Sequence, residues 1–166
     1  SAHKLYIKKG EIKIPAVVKD YNGRYDGKPH SISIANVPSG SQVYYRTSTS
    51  SAWSLKKPTR TSAGTTTIYY KITNPLYFQT LSGDAKITIQ KNIQKGYAKS
   101  YNGTYDGKSH TISFNNVASG SKIYYRTSTK AKWSTKKVTR TSAGTTTIYY
   151  KIVNSNCTNT KTGTRS

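Results

Sequence analysis

"TRTSAGTTTIYYKI" occurs twice without a change, from Thr59 to Ile72 and again from Thr139 to Ile152. Its second half alternates. Ile68, Tyr70 and Ile72 fall on one face of an extended chain, and Thr67, Tyr69 and Lys71 fall on the other. An apolar face opposite a polar one at period two predicts a half-buried strand. The flanking sequence extends the pattern: "SISI" from Ser31 places Ile32 and Ile34 inward, and "TISF" from Thr111 does the same with Ile112 and Phe114. "QVYYRTS" and "KIYYRTS" are rich in β-branched and aromatic residues and predict two further strands.

The repetition runs well beyond this stretch. Residues 19–74 set against 99–154, at a constant offset of 80, agree at about three-quarters of positions. A fixed period of this size indicates tandem units. Turn signals separate the strands: Asn22-Gly23, Asp26-Gly27, "PSG" at Pro38 and "SAGT" at Ser62. The first two are expected to supply positive-φ positions in an entry turn. No segment has helical periodicity. The expected fold is all-β, two sandwiches of short antiparallel strands: residues 1–15 as an N-terminal strand or the tail of a preceding repeat, 16–91 as repeat one and 92–166 as repeat two.

Two features stand out in this frame. Aligning Asn154 with Asn74 places Ser166 opposite Lys86, so repeat two has no counterpart of "ITI" at Ile87 to Ile89 and is expected to lack its terminal strand. The N-terminal "HKLYIKKGEIKI" reads as a strand that a neighbouring molecule could accept, giving strand-exchange self-association. The alternatives are a first strand of repeat one or a frayed terminus.

"YNGRYDGKPHSISI", "VPSGSQVYYRTSTSSAWS", "PTRTSAGTTTIYYKITNPLY" and "LSGDAKITI", in that order, resemble the YDG/MBG type of bacterial immunoglobulin-like repeat. The resemblance covers nearly the whole of both copies. It implies immunoglobulin-like sandwiches in tandem arrays on secreted or cell-surface, adhesin-like proteins of Gram-positive bacteria, usually without catalysis. It implies little about the ligand, because such repeats serve both as spacers and as binding modules. The chain departs from the family in the lysine-rich surroundings of its two tryptophans, "AWSLKKPTR" and "AKWSTKKVTR".

Charge narrows the function further. Lysine and arginine number 27 against five acids, Glu11, Asp20, Asp26, Asp84 and Asp106, for a net charge of +22. Repeat two carries +12, repeat one +7 and the first fifteen residues +3. Few of these cations can be neutralised within the chain, so they face water or an anionic partner. The added charge of repeat two surrounds Trp133, where Gln42, Ser50 and Ala52 are replaced by Lys122, Lys130 and Lys132. In an extended chain Lys130 and Lys132 share the face opposite Trp133, so the indole is expected in the core. The competing reading makes each tryptophan a platform for a sugar or a base, ringed by cations. The candidate ligand-binding residues are Arg126, Lys130, Lys132, Trp133, Lys136, Lys137 and Arg140, with Arg46, Trp53, Lys56, Lys57 and Arg60 in repeat one.

Chemistry of other kinds has little to work with. His30 and His110 each follow an Asp by four residues and read as structural, and no nucleophile, phosphate loop or dinucleotide motif is present. Three histidines and one thiol do not compose a metal centre, so no catalytic, metal or cofactor site is expected. Cys157 is the single cysteine, which excludes an internal disulfide. No apolar run reaches the roughly 20 residues of a membrane span. The expected function is a non-enzymatic, secreted or cell-surface binding module for an anionic glycan or a host glycoprotein, immune proteins included. The alternatives are a spacer in a surface array and sequence-nonspecific nucleic-acid binding.

Overall fold

The protein, described from a computed structural model, is defined at residues 1–8 and 13–166; part of the N-terminal segment, with Glu11, lies outside the described residues. Among the described residues every regular element is a β-strand. The chain divides into two compact units, one of Ser1–Arg24 with Lys28–Gln90 and the other of Tyr25–Gly27 with Lys91–Ser166.

Unit 1 contains β1 (Val17–Lys19), β2 (Tyr21–Arg24), β3 (Ser33–Ala35), β4 (Gln42–Arg46), β5 (Gly64–Thr73) and β6 (Leu81–Gln90). β1 and β3 pair antiparallel, and a four-stranded sheet has the order β2-β6-β5-β4. β5 and β6 pair antiparallel over most of their length, from Gly64 opposite Ile89 to Ile72 opposite Leu81. β2 lies parallel to the outer half of β6, with Tyr21 opposite Ile87 and Gly23 opposite Ile89. The chain therefore leaves one sheet at Lys19 and joins the other at Tyr21. Asp20 secures the crossing by accepting the Lys86 N–H at 2.8 Å.

The alternation of "IYYKI" is realised as read. Ile68 and Ile72 are fully buried with Ile32, Ile87 and Ile89, while Tyr69 and Lys71 lie on the other face. Burying Ile87 and Ile89 stabilises unit 1 by about 1.5–3 kcal/mol each. Ile14 joins this core, whereas Ser1 to Lys8 form no strand. Leu5, Tyr6 and Ile7 in that segment are 90%, 83% and 78% exposed.

Unit 2 contains β7 (Tyr97–Lys99), β8 (Ser113–Asn115), β9 (Lys122–Arg126), β10 (Ile148–Val153) and β11 (Lys161–Arg165). β7 pairs with β8, and the second sheet has the order β11-β10-β9. Its core joins Ala98, Ile112, Tyr125, Ile148, Tyr150 and Ile152, with Phe114 edge-on to Tyr125 and Tyr150 at centroid distances of 6.0 and 5.2 Å. Its two buried polar residues, Asn154 and Gln94, are hydrogen-bonded. Asn154 Nδ2 donates to Ser119 O and Ser121 Oγ at 2.8 and 3.0 Å, and Gln94 Oε1 accepts from Gly96 N and Ala118 N at 3.0 and 3.1 Å.

The expectation that repeat two lacks its terminal strand is corrected: β11 pairs antiparallel with β10. β11 repeats the inner part of β6, with Tyr150 opposite Gly163 as Tyr70 is opposite Gly83. In unit 1 residues 86–90 form the outer part of β6. Residues 101–104 and 144–147, whose equivalents flank it in unit 1, form no strand.

The turn reading needs one correction. Asn22-Gly23 is not a turn: both residues lie in β2, and a Cβ on Gly23 would meet the Tyr21 ring, its hydroxyl oxygen 2.5 Å away. Gly23 is small because a neighbouring tyrosine folds across it. The positive φ falls instead at Gly27 and Gly107, 78° and 75°.

Replacing Ile152 by Ala is expected to destabilise unit 2 by about 2–5 kcal/mol through the cavity it leaves. Cys157, buried in the same unit and with its thiol pKa pushed up by that burial, reports the change. Its reaction with a thiol reagent under native conditions should accelerate in Ile152→Ala and stay unchanged in Ile72→Ala.

Candidate functional site

The outward face of each main sheet carries an aromatic and cationic cluster. In unit 1, β4 and β5 place Tyr44 opposite Lys71 and Arg46 opposite Tyr69. After β4 the chain turns back, and Ser54 exchanges both backbone hydrogen bonds with Tyr45 at 2.7 and 2.9 Å. That antiparallel bridge brings Trp53 beside Arg46. Arg46 Cζ lies 4.3 Å from the Trp53 ring centroid and Lys71 Nζ 4.8 Å, and Lys71 Nζ is 5.1 Å from the Tyr44 ring. Unit 2 repeats the arrangement: Arg126 at 4.3 Å and Lys151 at 4.9 Å over Trp133, with Lys151 5.0 Å over Tyr124. Each cation over an indole contributes about 0.5–2 kcal/mol.

The tryptophans are therefore not core residues. Both are half-buried on the outer face, because the bridge at Ser54 and Ser134 continues the sheet by one short segment and projects the preceding residue outward. The alternation argument placed Lys130 and Lys132 correctly, since both are exposed. It erred on what lies beneath the indole, which is the guanidinium of the neighbouring strand. The Nε of Arg46 and of Arg126 is buried with no hydrogen-bond partner. The π face stands in for a conventional acceptor. Lys71, Lys151, Tyr44, Tyr124, Tyr69 and Tyr149 belong to the clusters and were not singled out from the sequence. The signal was the outward face of "IYYKI" itself, which carries Tyr69 and Lys71.

The remaining candidates separate into two groups. Lys56, Lys57, Lys130, Lys132, Lys136 and Lys137 are exposed, and among the described residues none has a carboxylate within 4 Å. Arg60 and Arg140 instead clamp their own loops. Arg140 Nε donates to Ser142 O at 2.8 Å, Nη2 to Ala143 O at 2.7 Å and Nη1 to Thr146 Oγ1 at 3.0 Å, and Arg60 makes the same bonds to Ser62, Ala63 and Thr66. Gly64 and Gly144, at φ of 128° and 122°, lie under these guanidinium groups. A Cβ on Gly144 would meet Arg140 Nη2 at 2.3 Å. This is why Arg and Gly recur at fixed spacing in "TRTSAGT".

His110 stacks on Tyr101 with centroids 4.1 Å apart, and its Nε2 lies 2.8 Å from Asp106 Oδ1 and 3.3 Å from the Tyr101 hydroxyl. Both contacts converge on one ring nitrogen. A proton relay would use the two nitrogens in series, so the group acts as a turn brace. Asp106 Oδ1 also accepts the Lys108 N–H at 2.8 Å. The His110 hydrogen bond, then the Lys108 amide, holds the Asp106 carboxyl below the ordinary aspartate range. Among the described residues no three His, Cys, Asp or Glu side chains gather as metal ligands, and no helix is long and apolar enough to cross a membrane.

Neither a protein-family model nor a curated protein sequence matches this chain.

Three outcomes follow from this geometry. Arg140→Ala removes three hydrogen bonds from a loop and is expected to destabilise unit 2 by about 1–3 kcal/mol in denaturant titration. Replacing Lys130, Lys132, Lys136 and Lys137 together by Glu should leave that midpoint within about 0.5 kcal/mol. The third outcome concerns pH. A carboxyl whose folded pKa is lowered contributes stability above the ordinary aspartate range and loses it as pH falls through the lowered value. Asp106→Asn should therefore reduce the acid-side loss of unit 2's melting temperature and leave the neutral-to-alkaline side unchanged in shape.

Proposed function

We propose that this chain is a non-enzymatic binding module, secreted or displayed on a bacterial surface, that holds anionic glycans or glycoproteins by charge. The observation that carries this reading is the set of four exposed lysines around Trp133, Lys130, Lys132, Lys136 and Lys137, none neutralised by a carboxylate. A fixed excess of +22 costs self-repulsion, and a partner bearing sulfate, carboxylate or phosphate relieves it.

The tryptophan clusters refine the mode of binding. Each indole already engages two cations of its own sheet, so part of its stacking capacity toward a sugar or base is satisfied internally. The cluster serves as a rigid base that holds Arg126 and Lys151 in place, and the flanking lysines supply the contacts. Recognition on this account depends on anion density more than on base or sugar identity. The repeated sequence motifs are the ground for proposing kinship with the YDG/MBG type of immunoglobulin-like repeat, and the surface location follows from that kinship. The same repetition also suits a spacer role, in which the charge only sets contact with an anionic cell wall.

Binding to an immobilised sulfated polysaccharide tests the proposal. With about four anionic contacts, affinity is expected to fall on the order of a hundredfold between ~50 and ~200 mM salt. The Lys130, Lys132, Lys136 and Lys137 to Glu variant should lose most of it at either salt. Equal retention of variant and parent would overturn the reading and leave the spacer role. Stronger retention on single-stranded DNA than on sulfated or sialylated glycans at matched charge would favour the nucleic-acid alternative.

A further inference from the structure

Both units carry the same cluster on the same sheet face, and the residues that differ around it fall in register. Three adjacent strands in each unit build the face in cross-strand rows. In unit 1 one row runs Arg46, Tyr69, Asp84, and in unit 2 it runs Arg126, Tyr149, Thr164. The next row runs Tyr44, Lys71, Ser82 against Tyr124, Lys151, Thr162. The third pairs Gln42 with Thr73 in one unit and Lys122 with Val153 in the other. Two of these exchanges change charge. Asp84 is exposed and forms no ion pair with another described residue. Lys86 shares its face two residues along β6, so the carboxylate opposes cations on both sides. Gln42 Oε1 accepts the Tyr44 hydroxyl, whereas Lys122 has only donors and leaves the Tyr124 hydroxyl without that bond.

We propose that the outward face of β9, β10 and β11 is the binding surface for a sulfated polysaccharide, with Thr164, where unit 1 carries an acid, as its specificity-determining residue. This rests on the anion-binding reading above and gives it a location. Lys122 and Arg126 stand about 14 Å apart along β9, and Lys151 lies between them on the adjacent strand about 5 Å away. A triangle of cations on that scale suits anions that recur along a polymer. The hydroxyls of Tyr124, Thr162 and Thr164 lie in the same rows and can donate to sulfate or sugar oxygens. Arg126 at 4.3 Å and Lys151 at 4.9 Å from the Trp133 centroid leave little open ring for a base to stack on. That favours a glycan over a nucleic acid.

Unit 1 shows what the exchange does. Asp84 stands two strand spacings, about 10 Å, from Arg46 in the same row, so a polyanion laid along that row meets a carboxylate where it crosses β6. At ~0.1 M salt this distance is about one Debye length, and the repulsion reaches the guanidinium as well. Unit 2 has no acid in any of the three rows. The duplicated cluster is thus held in two electrostatic settings: open to anions in unit 2 and opposed by its own carboxylate in unit 1.

The experiment measures affinity for immobilised dextran sulfate at ~50 and ~200 mM salt, with uncharged dextran as the blank. Thr164→Asp gives unit 2 the acid that unit 1 carries at the same place, and should weaken binding at least fivefold at the lower salt and less at the higher. Thr164→Asn should bind as the parent does. Both variants should melt with the parent, since the position is exposed and unit 1 already accommodates an aspartate there. In the Lys130, Lys132, Lys136 and Lys137 to Glu background, Gln42→Lys/Asp84→Thr should raise the residual binding at least threefold by opening the face of unit 1. Full binding by Thr164→Asp, an equal loss in Thr164→Asn, or no gain in unit 1 would each overturn this inference and leave the anion-binding reading standing. A parent that passes dextran sulfate unretained, or that holds single-stranded DNA more tightly, overturns both.

Discussion

The constraint on which the protein depends is the two-sidedness of its central strand. β5 and β10 turn isoleucines to the core and, in the same five residues, a tyrosine and a lysine to the surface. Because side chains alternate strictly along a strand, packing and surface chemistry are locked in register. A slip by one residue would bury Lys71 or Lys151 and expose Ile68 or Ile148. Both the thin core and the cationic cluster exist because that register is held.

The cluster shows how a hydrophobic-poor chain gains surface order. Only 33% of residues are hydrophobic, and fifteen of them are tyrosines. Aromatic rings on the outer face are not left as isolated apolar patches; they are covered by guanidinium and ammonium groups from adjacent strands. The contacts satisfy the rings and pre-position the charges. The same economy appears at the "SAGT" loop, where one arginine holds two backbone carbonyls and a threonine hydroxyl. Unit 2 shows the arrangement with less support. Residues 101–104 and 144–147 form no strand, although their sequence is nearly that of the paired residues in unit 1. Nearly identical stretches with different structures show that strand formation there depends on pairing more than on propensity.

Much of the fold was legible in the sequence, and for identifiable reasons. Period-two alternation marked β5 and β10, β-branched and aromatic enrichment marked β4 and β9, and the 80-residue self-similarity set the duplication. The expected loss of the terminal strand of repeat two did not hold, because residues 161–165 pair with β10 as β11. Two local readings failed. Asn22-Gly23 has turn composition, but glycine there accommodates a tyrosine ring within a strand. Trp53 and Trp133 have the size and polarity of core residues, but the isolated bridge to Tyr45 and Tyr125 turns them outward. In the candidate site, the exposed lysines were readable as unneutralised charge, whereas the commitment of Arg60 and Arg140 to their own loops was not, because it depends on a positive-φ glycine beneath each guanidinium.

Composition and periodicity alone determined that this is an all-strand, duplicated, strongly cationic protein, since those properties follow from local alternation and from counting charges. Tertiary structure decided which cations are held and which are available, and which strand edges are paired. Those outcomes depend on contacts between segments far apart in the chain. Arg126 over Trp133, Lys151 over the same ring and residues 86–90 between β5 and β2 are all set by sheet registry, and registry is a property of paired strands that no single stretch of sequence contains.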